Sequence, residues 1–227
     1  MSNFNRLIVF GCSNTYGEGL LDCGDASNNW KEDKPSKLGW PNQLATMMGI
    51  DQVVNYGIGG QGNKRILHEL FEKETAGLIN PDTDVVVILW SFFNRHCIFH
   101  DDGSIERFLP SAIKNFKPTK KLKHMTKEAR IFNWYANYHS FKDQIFENYT
   151  NISHAQHYLN SKGIRYHRFT SEGEQNNPMP IWFDDNALLS INVWEISQRY
   201  GFARDKSHPS ENAHSHIAEI MYKHITK

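Results

Sequence analysis

Residues 5–19 read NRLIVFGCSNTYGEG, and the reading of the rest of the chain depends on them. Leu7, Ile8, Val9 and Phe10 form a short apolar run with two β-branched members, the composition of a strand buried on both faces. The run stops at Gly11, and Cys12, Ser13, Asn14 and Thr15 follow, all small or polar. A serine in a tight turn just past a buried strand carries its hydroxyl at the carboxyl edge of the sheet, where open α/β sheets hold ligands. Serine is also favoured as a helix N-cap. This stretch alone leaves Ser13 between the two roles, and the far end of the chain decides.

Outward from this start, strand and helix patterns alternate. Residues 20–38 are polar and charged and read as a loop bordering the site. Residues 39–49 read as a helix with Pro41 near its first position and Leu44, Met47 and Met48 on one face. Residues 52–56 read as a second strand ending in the glycine-rich GIGGQGN, and residues 63–76 as a helix carrying Ile66, Leu67, Leu70 and Phe71. Residues 84–91 (DVVVILWS) are almost wholly apolar, as a central strand covered on both sides must be. Strands alternating with helices imply right-handed crossovers and a parallel sheet. Residues 92–160 are less regular, with a basic run over 114–130 and an aromatic-rich helical segment over 131–159. Further on, 163–169 reads as a strand, 171–180 as a loop, 187–200 as a helix or a partner of the substrate region, and 211–225 as a closing amphipathic helix. The expectation is one domain over 1–227 with an irregular insertion around 92–160.

Composition excludes several classes. The chain has 25 Lys+Arg against 25 Asp+Glu, so nothing in its bulk charge argues for nucleic acid. No apolar run approaches the length of a membrane span, and the amino-terminal apolar residues are too few for a secretory segment. The odd count of three cysteines, Cys12, Cys23 and Cys97, without a CxxC spacing argues against a disulfide framework and a structural zinc site. A cytoplasmic protein is the expectation.

Near the carboxyl end stands Asp205-Lys-Ser-His208-Pro209. A carboxylate three residues before a histidine in a loop can accept from the imidazole Nδ1–H, fixing the tautomer and leaving Nε2 free as a base. Pro209 stiffens the chain directly after the ring. With Ser13, the order Ser…Asp-x-x-His supplies a nucleophile, a base and an orienting group. Attack on an ester creates an oxyanion, which needs donors already aimed at it. The backbone N–H of Ser13, that of a glycine in 57–62 and the side-chain amide of Asn94 stand at the carboxyl ends of three consecutive expected strands.

Gly11-Cys-Ser13-Asn-Thr15, Asn55-Tyr-Gly-Ile-Gly-Gly60, Ile88-Leu-Trp-Ser-Phe-Phe-Asn94 and Asp205-Lys-Ser-His208-Pro209 together resemble the four sequence blocks of the SGNH/GDSL hydrolase superfamily, in the family's order and almost end to end. The resemblance implies a three-layer α/β/α, flavodoxin-like fold and a serine esterase or lipase mechanism without metal or cofactor. It makes Ser13 the nucleophile, His208 the base and Asp205 its orienter, with Gly60 and Asn94 completing the oxyanion hole beside the Ser13 amide. Two positions depart from the family pattern. Cys12 replaces the usual acid before the nucleophile, and Phe92-Phe93-Asn94-Arg95 replaces Gly-x-Asn-Asp, so that Cys12, Asn14 and Arg95 become substrate-proximal candidates and Arg95 could favour an anionic substrate. The implied substrate is a small ester, acetyl for instance, on a carbohydrate.

Competing patterns are less complete. Gly57-Ile-Gly59-Gly-Gln-Gly62 satisfies GxGxxG, but no acid ends the following strand to hold a ribose. An α/β-hydrolase elbow would need glycine where Thr15 stands. The pairs His96/His100, His154/His157 and His214/His216 lack a carboxylate or cysteine partner at a standard zinc spacing. The basic run 114–130 suits a solvated face or a polyanion groove. The stripe Phe132, Trp134, Tyr135, Tyr138 and Phe141 suits core packing or stacking on sugar rings. The non-enzymatic alternative is a catalytically silent module of the same fold; an acyl-transferring enzyme would use the same residues.

Overall fold

The opening apolar run forms β1 (Arg6–Gly11), flanked by β2 (Gln52–Gly57) and β3 (Asp84–Trp90) in a five-stranded parallel sheet of order β2-β1-β3-β6-β7. The remaining strands are β6 (Arg165–Thr170) and β7 (Leu188–Ser190). A computed structural model describes residues 4–23, 34–114, 126–171, 183 and 188–227. The expected loop at 171–180 and the centre of the basic run therefore lie largely outside the described residues.

Alternate side chains of each central strand enter opposite layers. Leu7 and Val9 of β1, with Val85, Val87 and Leu89 of β3, pack under α2 (Trp40–Met48), α6 (Val193–Tyr200) and α7 (Glu211–Ile225). Ile8 and Phe10, with Val86, Ile88 and Trp90, pack under α3 (Asn63–Thr75) and α5 (Phe141–Ser161). Both faces are dry, which is why these strands read as unbroken apolar runs. The result is the three-layer α/β/α architecture, with the strand order of the flavodoxin-like fold. Among the described residues no helix is long and apolar enough to cross a membrane.

Polar contacts set the sheet's two edges. At the amino edge Arg6 donates to both carboxylate oxygens of the fully buried Asp84, at 2.8 and 2.6 Å. Burial works against the Asp84 charge, yet the Arg6 bond and the Asn80 N–H hold its carboxyl below the usual range. At the carboxyl edge the Asn63 side chain accepts from Ser91 N and donates to Ser91 O and to Asn148 Oδ1, tying α3, the end of β3 and α5 together.

The region 92–160 holds more structure than its sequence pattern announces. An antiparallel hairpin, β4 (His96–Phe99) and β5 (Ile105–Phe108), precedes α4 (Lys127–Asn137). The helical segment expected at 131–159 is two helices, because Ser140 accepts from Asp143 N and starts α5 afresh. Beyond β6, residues 187–200 begin as β7 and become α6 only at Val193.

Candidate active site

Registers of Gly11 with Gly57 and with Leu89 bring β1, β2 and β3 to one level at their carboxyl ends. Strand order reverses across β1, so the crevice there is the usual ligand position of an open α/β sheet. The chain leaves β1 directly into a one-turn helix, α1 (Ser13–Tyr16), with Cys12 as its N-cap. A side chain at Gly11 is excluded: a Cβ would stand 2.0 Å from Thr15 Oγ1 and 2.8 Å from Leu89 O. Ser13 is thus the first helical residue past the strand, 2 % exposed, and its N–H lies in the first turn, where no intrahelical acceptor exists. Asn55 secures this turn to β2, donating to Thr15 O at 2.7 Å while its Oδ1 accepts from Gly57 N at 2.8 Å.

The loop before α7 supplies the second component. Asp205 Oδ2 lies 2.5 Å from His208 Nδ1, and Asp205 Oδ1 accepts from the backbone N–H of Ser207 and of His208, each at 3.0 Å. Burial opposes the Asp205 charge, but these three donors hold its carboxyl below the ordinary value. A carboxylate acceptor puts the ring proton on Nδ1 and leaves Nε2 with a lone pair. The turn is completed by Lys206 at φ 58.

This loop is docked on the segment that follows α1. Arg204 donates through its backbone N–H to Gly19 O at 3.4 Å and through its guanidinium to Leu20 O and Leu21 O at 3.3 and 2.8 Å. Gly19 has φ 85, and a Cβ there would lie 2.8 Å from Asp205 Cγ. His208 Nε2 stands 3.8 Å from Glu18 Oε2. The two ends of the chain meet here, with Glu18 hydrogen-bonded through its N–H to Ser13 O at 3.1 Å. Among the described residues, no hydrogen bond joins Ser13 Oγ to the His208 ring.

The other candidates are placed as follows. Gly60, at φ 70, lies on the loop after β2. Asn94 is exposed; its carbonyl accepts from Tyr135 Oη at 2.6 Å, and its side-chain amide makes no hydrogen bond among the described residues. Arg95 folds back, donating to Ser91 Oγ at 3.1 Å with its guanidinium 5.1 Å from the Phe92 ring centre. Cys12 and Asn14 are buried. The aromatic stripe divides: Trp134 stacks on His96, whereas Tyr138 and Phe141 are exposed. Among the described residues no group of three metal-ligating side chains assembles. Glu18 is the residue whose position the sequence pattern does not announce, and Asn55, which opens the second sequence block, has no role given to it there. An acid five residues past the candidate nucleophile, on the same turn, is the signal that points to Glu18.

Beside this crevice runs a groove of about 1020 Å³, lined by Tyr16, Glu18, the loop 57–60, Arg107 and Lys127.

Comparison of the backbone with solved structures places it in a defined class. The lipase Lip_vut3 from a goat rumen metagenome matches with a TM-score of 0.55 at 13% identity, over 96% of this chain and 96% of that one. The psychrotrophic esterase EstA from Pseudoalteromonas sp. matches with a TM-score of 0.52 at 14% identity, over 98% and 97%. A protein of the G-D-S-L lipolytic family from Desulfitobacterium hafniense DCB-2 matches with a TM-score of 0.50 at 12% identity, over 97% and 99%. The fold is that of the SGNH/GDSL hydrolase superfamily. No curated protein sequence matches the chain. Within that fold the chain belongs to DUF6071, a family of unknown function whose model matches residues 22–178.

Proposed function

We propose that this chain is a serine ester hydrolase working through an acyl-serine intermediate, and that it removes a small, acetyl-like group from a carbohydrate or a related small ester. The observation that carries the reading is the Asp205–His208 hydrogen bond, held by a loop seated on residues 19–21, six to eight residues beyond Ser13. In this reading His208 Nε2 takes the Ser13 proton as Oγ attacks the ester carbonyl. The tetrahedral oxyanion is met by the N–H groups of Ser13 and Gly60 and by the Asn94 amide. Collapse expels the alcohol, which leaves with the proton from His208; water, deprotonated by the same ring, then releases the acid. Catalytic hydrogen bonds are commonly long without substrate and tighten when it binds, so the Ser13–His208 bond belongs to the substrate complex. No cofactor enters these steps. Three free, buried cysteines suit a reducing compartment, which supports a cytoplasmic enzyme.

Turnover of 4-nitrophenyl acetate tests the reading. Wild type is expected to hydrolyse it, and Ser13→Ala to lose turnover while keeping its circular dichroism and melting temperature. Absence of turnover on a panel of short-chain esters would replace the hydrolase with a silent binding module. Transfer of the acetyl group to added glycerol in preference to water would replace it with an acyltransferase.

A further inference from the structure

The groove beside the crevice contains more charge than the ester chemistry uses, and the charges are unequally matched. Glu69 is neutralised twice, by Arg65 Nη2 at 2.6 Å and by Lys73 Nζ at 3.0 Å. Glu18 faces His208. Arg107 of β5 and Lys127 at the start of α4 form no ion pair within 4 Å among the described residues, Lys127 acting only at longer range on Glu128, and both line the groove. Arg107 is fixed: its Nη1–H donates to Gly59 O at 2.6 Å, and the same nitrogen lies 3.4 Å from where a Cβ on Gly60 would be. One of its five N–H groups is therefore committed to the loop, and the rest of the planar fork is left for a ligand.

We infer that the groove binds an anionic glycan, with Arg107 and Lys127 receiving a ring-borne anion on the sugar that carries the acyl group; this rests on the ester-hydrolase reading. A guanidinium pinned beside the glycine loop recognises a planar carboxylate bidentately, and a lysine lining the same groove adds a point charge. The anchoring through Gly59 couples recognition to the loop that carries Gly60, which is assigned to the oxyanion hole. The volume, at the upper end of the ~300–1,000 Å³ typical of ligand sites, accommodates an oligomer better than a lone small ester. Arg95, turned onto Ser91 and Phe92, is otherwise engaged. The cation for such a substrate comes from the hairpin instead.

The test has a binding arm and a turnover arm, both on the full chain. In the first, Ser13→Ala is titrated calorimetrically with oligogalacturonate, with a sulfated oligosaccharide and with neutral xylo-oligosaccharide. Binding of oligogalacturonate that weakens with salt and falls about tenfold, about 1.4 kcal/mol, with added Arg107→Gln or Lys127→Gln is expected, since each substitution removes a charge-assisted contact. Stronger binding of the sulfated ligand would assign the anion as sulfate rather than carboxylate. In the second arm, the ratio of kcat/KM on acetylated polygalacturonate to that on acetylated xylan is expected to exceed about ten in wild type. That ratio should collapse toward one in Arg107→Gln and be partly kept in Arg107→Lys. Equal turnover of both polymers, or a ratio unmoved by the substitutions, overturns the inference while leaving the hydrolase intact. Salt-sensitive, Arg107-dependent binding without turnover of any ester would leave the anion site standing and remove the hydrolase. Absence of both removes both.

Discussion

Gly19→Ala probes the contact on which the meeting of the chain ends depends. Gly19 has φ 85, where an L side chain costs about 1 kcal/mol. Its new Cβ would lie 2.8 Å from both Cγ and Oδ2 of Asp205 and 3.0 Å from Ala203 Cβ, where ordinary contact begins at 3.4 Å. Asp205 must therefore retreat by about 3.4 − 2.8 = 0.6 Å. It cannot do so by swinging a free carboxylate, because Oδ1 is held by two backbone N–H groups and Oδ2 by the His208 ring. The loop moves as a unit and takes His208 with it. Misplacement by 1 Å costs up to about 10²-fold in rate, so kcat/KM on 4-nitrophenyl acetate should fall at least about tenfold. The melting temperature should fall by only about 2–4 °C per kcal/mol in a chain of this size. Steady-state kinetics and a thermal melt on the same preparation measure both. A Gly19→Ala protein with wild-type kcat/KM would refute the seating of the Asp205–His208 loop on this glycine.

Two further outcomes follow from buried polar groups. His214 is fully buried, accepts from Trp40 N through Nδ1 and is pushed down to about 3 by burial, with the nearby His208 adding to the effect. Burial likewise lowers His167 to about 4. Both folded values lie below the ordinary 6.5, so their contribution is complete above pH 6.5 and is lost as pH falls toward 4. Urea unfolding should show His214 alone removing about 2 kcal/mol between pH 7 and 5, above the range where carboxylates titrate; a flat profile there would contradict its buried neutral state. Asn63→Ala leaves Ser91 N, Ser91 O and Asn148 Oδ1 without their partner and should destabilise by roughly 3 kcal/mol in the same assay. A loss below about 0.5 kcal/mol would show that the junction of β3, α3 and α5 does not depend on it.

How much the sequence discloses depends on how local each feature is. β1 and β3 are covered on both faces, so Val85–Trp90, six of the seven buried residues of β3, leave an unbroken apolar run that cannot be missed. The hairpin of β4 and β5 leaves no such mark: His96-Cys-Ile-Phe99 and Ile105-Glu-Arg-Phe108 pair only with each other, outside the main sheet. β7 has three residues and gets its strand character from β6. The same distinction separates the site residues. The Asp205–His208 contact spans three residues and is carried by spacing, whereas Glu18 acquires its place only because a loop nearly two hundred residues away is set against it. Arg107 and Lys127 sit in the irregular middle of the chain, and only the packing of β5 and α4 beside the glycine loop brings them to the groove. Asn94 illustrates the opposite limit, for its strand-end position is readable but its exposed amide is set by how Tyr135 holds the loop's carbonyl.

The most direct measurement is mass spectrometry of the intact chain, then of its peptides, after exposure to a fluorophosphonate that traps activated serines. The account predicts a single adduct on Ser13, formed quickly in wild type and lost in His208→Ala. A folded protein that takes up no label, or takes it up on another serine while Ser13 stays unmodified, would contradict it.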